Sequence, residues 1–145
     1  MSDERVDPSA DNNYAIRYAS ENGHVKVVEL LLSGGRVDRS SLIADPRAKN
    51  NYAIRLASEF GHEKVVELLL SDERVDSSVD DNYAIQCASR NGHEKVVELL
   101  LSDERVDPSA KNNFAIQRAS EKGHEKVVEL LLSDERVSNT WKNHV

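Results

Sequence analysis

Four histidines recur in register along the chain, each directly after a glycine: Gly23-His24, Gly61-His62, Gly92-His93 and Gly123-His124. Imidazoles at a fixed interval could suggest a metal centre. Geometry counts against a shared ion. Stacked helices lie about 8–10 Å apart, whereas Zn–N bonds are about 2.0–2.1 Å, so histidines on successive units cannot chelate together. In three copies an acid follows at i+1 (Glu63, Glu94, Glu125), which is a different helix face. Neither a metal nor a cofactor is expected.

The segment Asp72-Glu73-Arg74-Val75-Asp76 and its copies crowd three carboxylates together. Calcium takes six to eight oxygens, and an Asp-rich loop that binds it usually carries a glycine at the sharp turn. Here an arginine is embedded instead, so the expectation is a solvated, salt-bridged connector. Glu63, Glu67, Glu94, Glu98, Glu125 and Glu129 repeat identically. A catalytic acid–base pair needs two carboxylates whose environments drive their pKa values apart, and no copy is singled out for that. Neither a phosphate-cradling glycine loop nor a nucleophile elbow is present. Cys87 is the only cysteine, has no histidine in its own first helix, and stands where other copies have Tyr18, Leu56 or Arg118. The reading is a non-enzymatic chain without an intrachain disulfide.

Charge and composition narrow the partners. The net charge of −7 over 145 residues argues against nucleic acid and against an anionic membrane surface, both of which attract clustered Lys and Arg. Leu, Ile, Val and Phe fill 37 positions, enough apolar surface for one folded domain, while only seven residues are aromatic. The core must therefore be aliphatic. No apolar run approaches the ~18 residues of a membrane span, and the N-terminal residues hold no apolar signal stretch. A cytoplasmic or nuclear location, not a secreted one, is expected.

The elements that carry these residues are repeated. His62–Val75 recurs letter for letter at His93–Val106 and His124–Val137, and His24–Val37 is a copy altered at Val25, Gly34 and Gly35. The Gly-His pairs are spaced by 38, 31 and 31 residues. The seven extra residues fall at 39–45, where Leu42 and Ile43 are expected to fold back onto the first interface. Each unit reads as two short helices. The first, Asn-Tyr-Ala-Ile-x-x-Ala-Ser, is expected to be N-capped by Asn13, Asn51, Asn82 or Asn113 and stopped by the glycine. The second starts at the histidine and carries Val-Val-Glu-Leu-Leu-Leu, an apolar stripe at helical spacing. No such unit can bury both of its faces alone, so each must stack on the next. Expected divisions are a partial unit at 1–10, repeats at 11–38, 46–76, 77–107 and 108–137 around the insertion 39–45, and a tail at 138–145. Neither end shows an obvious capping repeat. Trp141 in the tail is expected to cover the last face.

The Gly-His pairs, the Val-Val-x-Leu-Leu-Leu runs at 27–32, 65–70, 96–101 and 127–132, and the Ala19-to-Gly23 spacing with its equivalents resemble the ankyrin repeat. The resemblance covers about residues 2–137, and the tetratricopeptide pattern of Trp, Leu, Gly and Tyr is lacking. It implies an all-α, helix-loop-helix solenoid of four repeats. With a period two residues short of the usual unit, tight finger turns are expected instead of two-stranded hairpins. The family's Thr-Pro-Leu-His tetrapeptide is replaced by Tyr14-Ala15-Ile16-Arg17, Tyr52-Ala53-Ile54-Arg55, Tyr83-Ala84-Ile85-Gln86 and Phe114-Ala115-Ile116-Gln117. Arg or Gln there is expected to donate to neighbouring loop carbonyls. The histidines are implied to bond the loops from helix starts.

Otherwise identical copies differ from one another at few positions, and such variation is expected on exposed surface. By the resemblance, a concave protein-binding groove would be lined by Tyr18, Glu21, Asn22, Leu56, Glu59, Phe60, Cys87, Arg90, Asn91, Arg118, Glu121 and Lys122. Finger contacts would come from Asp11, Lys49, Asp80 and Lys111. This pattern gives an apolar centre (Tyr18, Leu56, Phe60) beside a basic end (Arg90, Arg118, Lys122), the usual chemistry of an interface hot spot. The implied function is binding of a protein partner. The second reading is a segment of a longer array, or a homo-oligomer that stacks end to end through its uncapped faces.

Overall fold

The structure, a computed structural model, describes residues 10–33, 48–72 and 75–141, with side chains described except at 10–13, 48–50 and 79–81. Four helix pairs follow one another: α1 (Ala10–Glu21) with α2 (Val25–Ser33), α3 (Ala48–Glu59) with α4 (Glu63–Leu70), α5 (Val79–Arg90) with α6 (Glu94–Leu101), and α7 (Ala110–Glu121) with α8 (Glu125–Leu132). A short ninth helix, α9 (Glu135–Trp141), packs against α7 and α8. First helices stack on first helices and second on second, so each pair touches the next through both members. No strand occurs among the described residues, in line with short finger turns. The expectations for the insertion 39–45 and for residues 1–9, Glu73 and Arg74 lie outside the described residues.

Small and β-branched residues decide the spacing. Ala53, Ile54 and Ala57 of α3, and Ala84, Ile85 and Ala88 of α5, are buried between adjacent first helices, where alanine permits close approach. From the second helices, Val65, Val66 and Leu69, with Val96, Val97 and Leu100, complete the core. The connector valines Val75, Val106 and Val137 seal it from the turn side.

Each first helix ends in the same glycine-based stop. At α3 the amide of Gly61 donates to the Ser58 carbonyl and that of His62 to the Ala57 carbonyl, a Schellman pair, with Gly61 at φ +75°. A second constraint acts on this glycine. A Cβ at Gly61 would lie 2.6 Å from His93 Nδ1 of the following unit, and Gly23 and Gly92 meet His62 and His124 in the same way. The histidine thus occupies the space that a side chain would need. Its Nε2–H donates to the last carbonyl of the preceding unit's first helix: His62 to Glu21 at 2.8 Å, His93 to Glu59 at 2.9 Å, His124 to Arg90 at 3.0 Å. A carbonyl can only accept, so the protonated nitrogen is fixed. The first of these bonds spans 41 residues and the other two 34, so the seven-residue insertion leaves the seat intact.

Asn51, Asn82 and Asn113 do not act as side-chain N-caps, and the Asn13 side chain lies outside the described residues. Asn51 and Asn82 sit inside the assigned helices at φ +59° and +63°, left-handed values that asparagine tolerates. Lys111, Asn112 and Asn113 form a left-handed lead-in to α7. The Asn51 and Asn82 side-chain oxygens accept instead from the Asp76 and Asp107 amides, 25 residues on, and so tie each first helix to the loop that follows its own pair. At the last pair the pattern breaks. The Ser138 amide is taken by the Asp134 carbonyl just ahead of α9, Asn113 turns its amide to Thr140 Oγ1 at 2.7 Å, and Asn113 Oδ1 is buried without a partner among the described residues. Trp141 packs half-buried against the core at this end, the place expected of it.

The acidic connectors are salt-bridged. Arg105 clasps Asp103 at 3.0 Å, donates to the Val75 carbonyl at 2.8 Å and reaches Asp76 at 3.8 Å, and Arg136 repeats this with Asp134 and Asp107. Burial alone pushes the Asp103 carboxyl up, but the Arg105 side chain and amide and the Ser77 hydroxyl outweigh it and hold it below its usual range. The hydrogen bond from Arg136 does the same for Asp134.

Three predictions follow from these contacts. Ser58 and Ser89 are buried with hydroxyls that have no partner; Ser58→Ala or Ser89→Ala should raise stability by about 1 kcal/mol in urea unfolding, because an unpaired hydroxyl is removed at little cost in volume. Gly123 has φ +77° but no atom within 4 Å of an added Cβ. Gly123→Ala should therefore cost only backbone strain, about 1–2 kcal/mol, and Gly61→Ala distinctly more; equal losses would remove the clash from the explanation. Asp103 and Asp134 have depressed folded-state pKa values, so their contribution is present above the unfolded carboxylate range of about 4 and lost as pH falls through the folded values. The stability deficit of Arg105→Gln should accordingly be largest near neutrality and shrink below about pH 4; a deficit constant from pH 7 to 2.5 would contradict the pairing.

Candidate interaction surface

The copy-specific groove positions lie at the C-terminal ends of the first helices and in the glycine turns, and the finger positions at the N-terminal ends of those helices. Stacking sorts them by their place in the array. Tyr18, on the first pair, is 49% exposed, whereas Leu56 is 9% and Cys87 1% exposed. Leu56 and Cys87 are therefore buried, not exposed as the groove expectation had them. This position is covered in the inner copies and open at Tyr18, on the first pair. The expectation that variation falls on exposed surface fails at these two positions, and the apolar centre contracts to Tyr18 and Phe60, which is 48% exposed.

The rest of the set is accessible to varying degrees. Glu21, Asn22, Asn91, Glu121 and Lys122 are exposed, and Glu59, Arg90 and Arg118 are half-buried. Several are engaged within the surface. Arg90 reaches Glu59 at 3.9 Å, Arg118 pairs with Glu121 at 2.7 Å, and Asn91 donates to the Glu59 carbonyl at 3.0 Å. Asn22 donates to the Tyr18 carbonyl at 2.9 Å. Of the finger positions, Lys111 is exposed, while the side chains of Asp11, Lys49 and Asp80 lie outside the described residues.

Cys87 is unsuited to nucleophilic work. Burial pushes its thiol up, and the Tyr83 hydrogen bond and Arg90 only partly oppose that, so it stays protonated at neutral pH. His62, His93 and His124 point into inter-unit seats, and no group of three or more His, Cys, Asp and Glu able to hold a metal occurs among the described residues.

One feature escaped the sequence reading. Arg17 lies between the rings of Tyr14 and Tyr52 at 5.6 and 5.5 Å, and Arg55 between Tyr52 and Tyr83 at 5.2 and 4.9 Å. Arg118 covers Phe114 at 4.7 Å. Guanidinium on aromatic faces thus runs from unit to unit along the positions that replace the Thr-Pro-Leu-His tetrapeptide. The signal was present as an aromatic and an Arg three residues apart in the first two copies, and it ends where Gln86 and Gln117 stand. The Tyr14 and Tyr18 rings stack at 5.9 Å and both are exposed, so this ridge finishes in an open aromatic pair on the first unit.

No helix among the described residues is long and apolar enough to cross a membrane. No curated protein matches the chain significantly. The family profile described as Ankyrin repeats (3 copies) matches residues 2–81 and 54–141, almost the whole chain. Ankyrin repeats are in general protein–protein interaction modules and are typically non-enzymatic. The stacked helix pairs, the glycine–histidine seats and this match together place the chain in the ankyrin-repeat family.

Proposed function

We propose that the chain is a non-enzymatic interaction module that binds a protein partner across the first-helix and turn surface, as the concave groove. The observation that carries this reading is a set of accessible, copy-specific side chains on an otherwise repeated scaffold: Tyr18 and Phe60 are open aromatics, with half-buried Arg118 and exposed Lys122 toward the other end. Inter-unit stacking does not require aromatics to stay exposed there, whereas aromatic and arginine anchors are what a protein interface uses. Affinity would depend on these few side chains and on pre-organisation by the stack, not on total buried area.

The apolar ends support a second reading, stacking of one copy on another or within a longer array. Val27 and Leu30 on the first pair and Leu132 on the last are exposed.

The groove is tested by crosslinking and affinity capture with Tyr18→Ser/Phe60→Ser and with Arg118→Glu, each checked by thermal melting. Expected is a loss of captured partner of at least about tenfold, about 1.4 kcal/mol, with melting little changed. An identical captured set from well-folded variants would remove the groove assignment.

A further inference from the structure

We infer that the two ends of the stack form a complementary knob and seat, in which His24 of a second copy of this chain docks at Gly123. The inference deepens the end-stacking reading and rests on it.

Comparing each copy with its counterparts shows which face of a unit looks forward and which looks back. Val65, Val96 and Val127 are buried, yet their counterpart Val27 is 44% exposed; Leu30 is 58% exposed where Leu68, Leu99 and Leu130 are partly covered. These side chains face the preceding unit, which the first pair lacks among the described residues. At the other end Ser20, Ser58 and Ser89 are fully buried and Ser120 is exposed, and Leu132 is 38% exposed. These face the following unit.

The specific element is the histidine seat. Gly23, Gly61 and Gly92 are each covered by the ring of the next unit's histidine, whereas nothing lies within 4 Å of a Cβ built at Gly123. A depression opens there, lined by Ser120, Gly123, His124 and Val128. The carbonyl equivalent to those of Glu59 and Arg90 is that of Glu121. At the opposite end, the His24 ring is exposed and lies 6.2 Å from the Tyr18 ring, without, among the described residues, the carbonyl partner that its three counterparts have. Among the described residues, one histidine lacks a seat and one seat lacks a histidine.

The C-terminal helix α9 does not close this seat. It covers the other end of the face, where Thr140 meets Asn113. Asn113 and Gly123 lie at opposite ends of α7, ten residues apart in sequence, a span of about 15 Å at 1.5 Å per residue. A second copy presents the same backbone and nearly the same apolar residues that three internal junctions already accept, so the trans contact continues an interface the fold has built. Its two sides differ, so it is head-to-tail and propagates unless an end is blocked.

The test is analytical ultracentrifugation over a wide concentration range, in salt sufficient to screen the net charge of −7. The head is blocked by His24→Ala/Leu30→Glu and the seat by Gly123→Ala, with Gly123→Asn as a second seat variant because asparagine tolerates the left-handed backbone. Melting curves confirm that each folds. The unaltered chain should show a weight-average mass that rises with concentration, and each variant alone should associate at least about tenfold more weakly. An equimolar mixture of head-blocked and seat-blocked chains should form a two-chain species and nothing larger. A strictly single-chain mass for the unaltered protein would overturn both this inference and the end-stacking reading, leaving the groove untouched. Association that the variants do not weaken would overturn the histidine seat alone, and a mixture with no two-chain species would overturn its polarity.

Discussion

Each helix pair has two faces that need covering and only its neighbours to cover them. That constraint governs the molecule. Burying a valine or leucine contributes about 1.5–3 kcal/mol, so Val65, Val66 and Leu69, repeated at each inner pair, supply most of the stabilisation. A hydrogen bond contributes about 0.5–1.5 kcal/mol net, so the histidine-to-carbonyl bonds are second in magnitude. Their effect is on register. The ring fits only where the preceding unit has a glycine and a free last carbonyl, and this selects one stacking geometry among those that apolar contact alone would permit.

The same logic explains why the turns carry so much polar detail. Asn51 and Asn82 satisfy the amides of Asp76 and Asp107, Arg105 holds Asp103 while reaching Val75 and Asp76, and Ser77 donates to Asp103 at 2.9 Å. Apart from the Arg105–Asp103 pair within one loop, each bond crosses between a helix and a later loop or between successive loops, so tight turns without strands are held in place. The Tyr–Arg ridge adds a parallel line of contacts along the first helices. Together they show how a sequence without the Thr-Pro-Leu-His tetrapeptide keeps its units aligned.

Much of this was legible in the residues and some was not. The helix pairs, the glycine stops and the repeat register follow from letter-for-letter recurrence, because periodicity reports packing directly. The asparagines misled, since a residue type common at N-caps is equally suited to left-handed backbone, and only the fold shows that Asp76 and Asp107 supply the donors. Leu56 and Cys87 misled for another reason. Variation among copies was equated with exposure, but an inner position can vary and still be buried when several side chains fit the same gap between first helices. Arg17 and Arg55 also lie between the aromatic three residues before each and that of the next unit, a contact that comparing copies letter by letter did not reveal.

The dependence of the stack on histidine seating is tested most directly by a double-mutant cycle on His93 and Gly61, measured by urea unfolding. If the ring fills the space over the glycine, the loss caused by Gly61→Ala should fall sharply in a His93→Ala background, toward the strain-only loss of Gly123→Ala, with a coupling of about 1 kcal/mol or more. Strictly additive losses would mean that the two residues do not sense each other, and the seat could not then be what sets the register of the units.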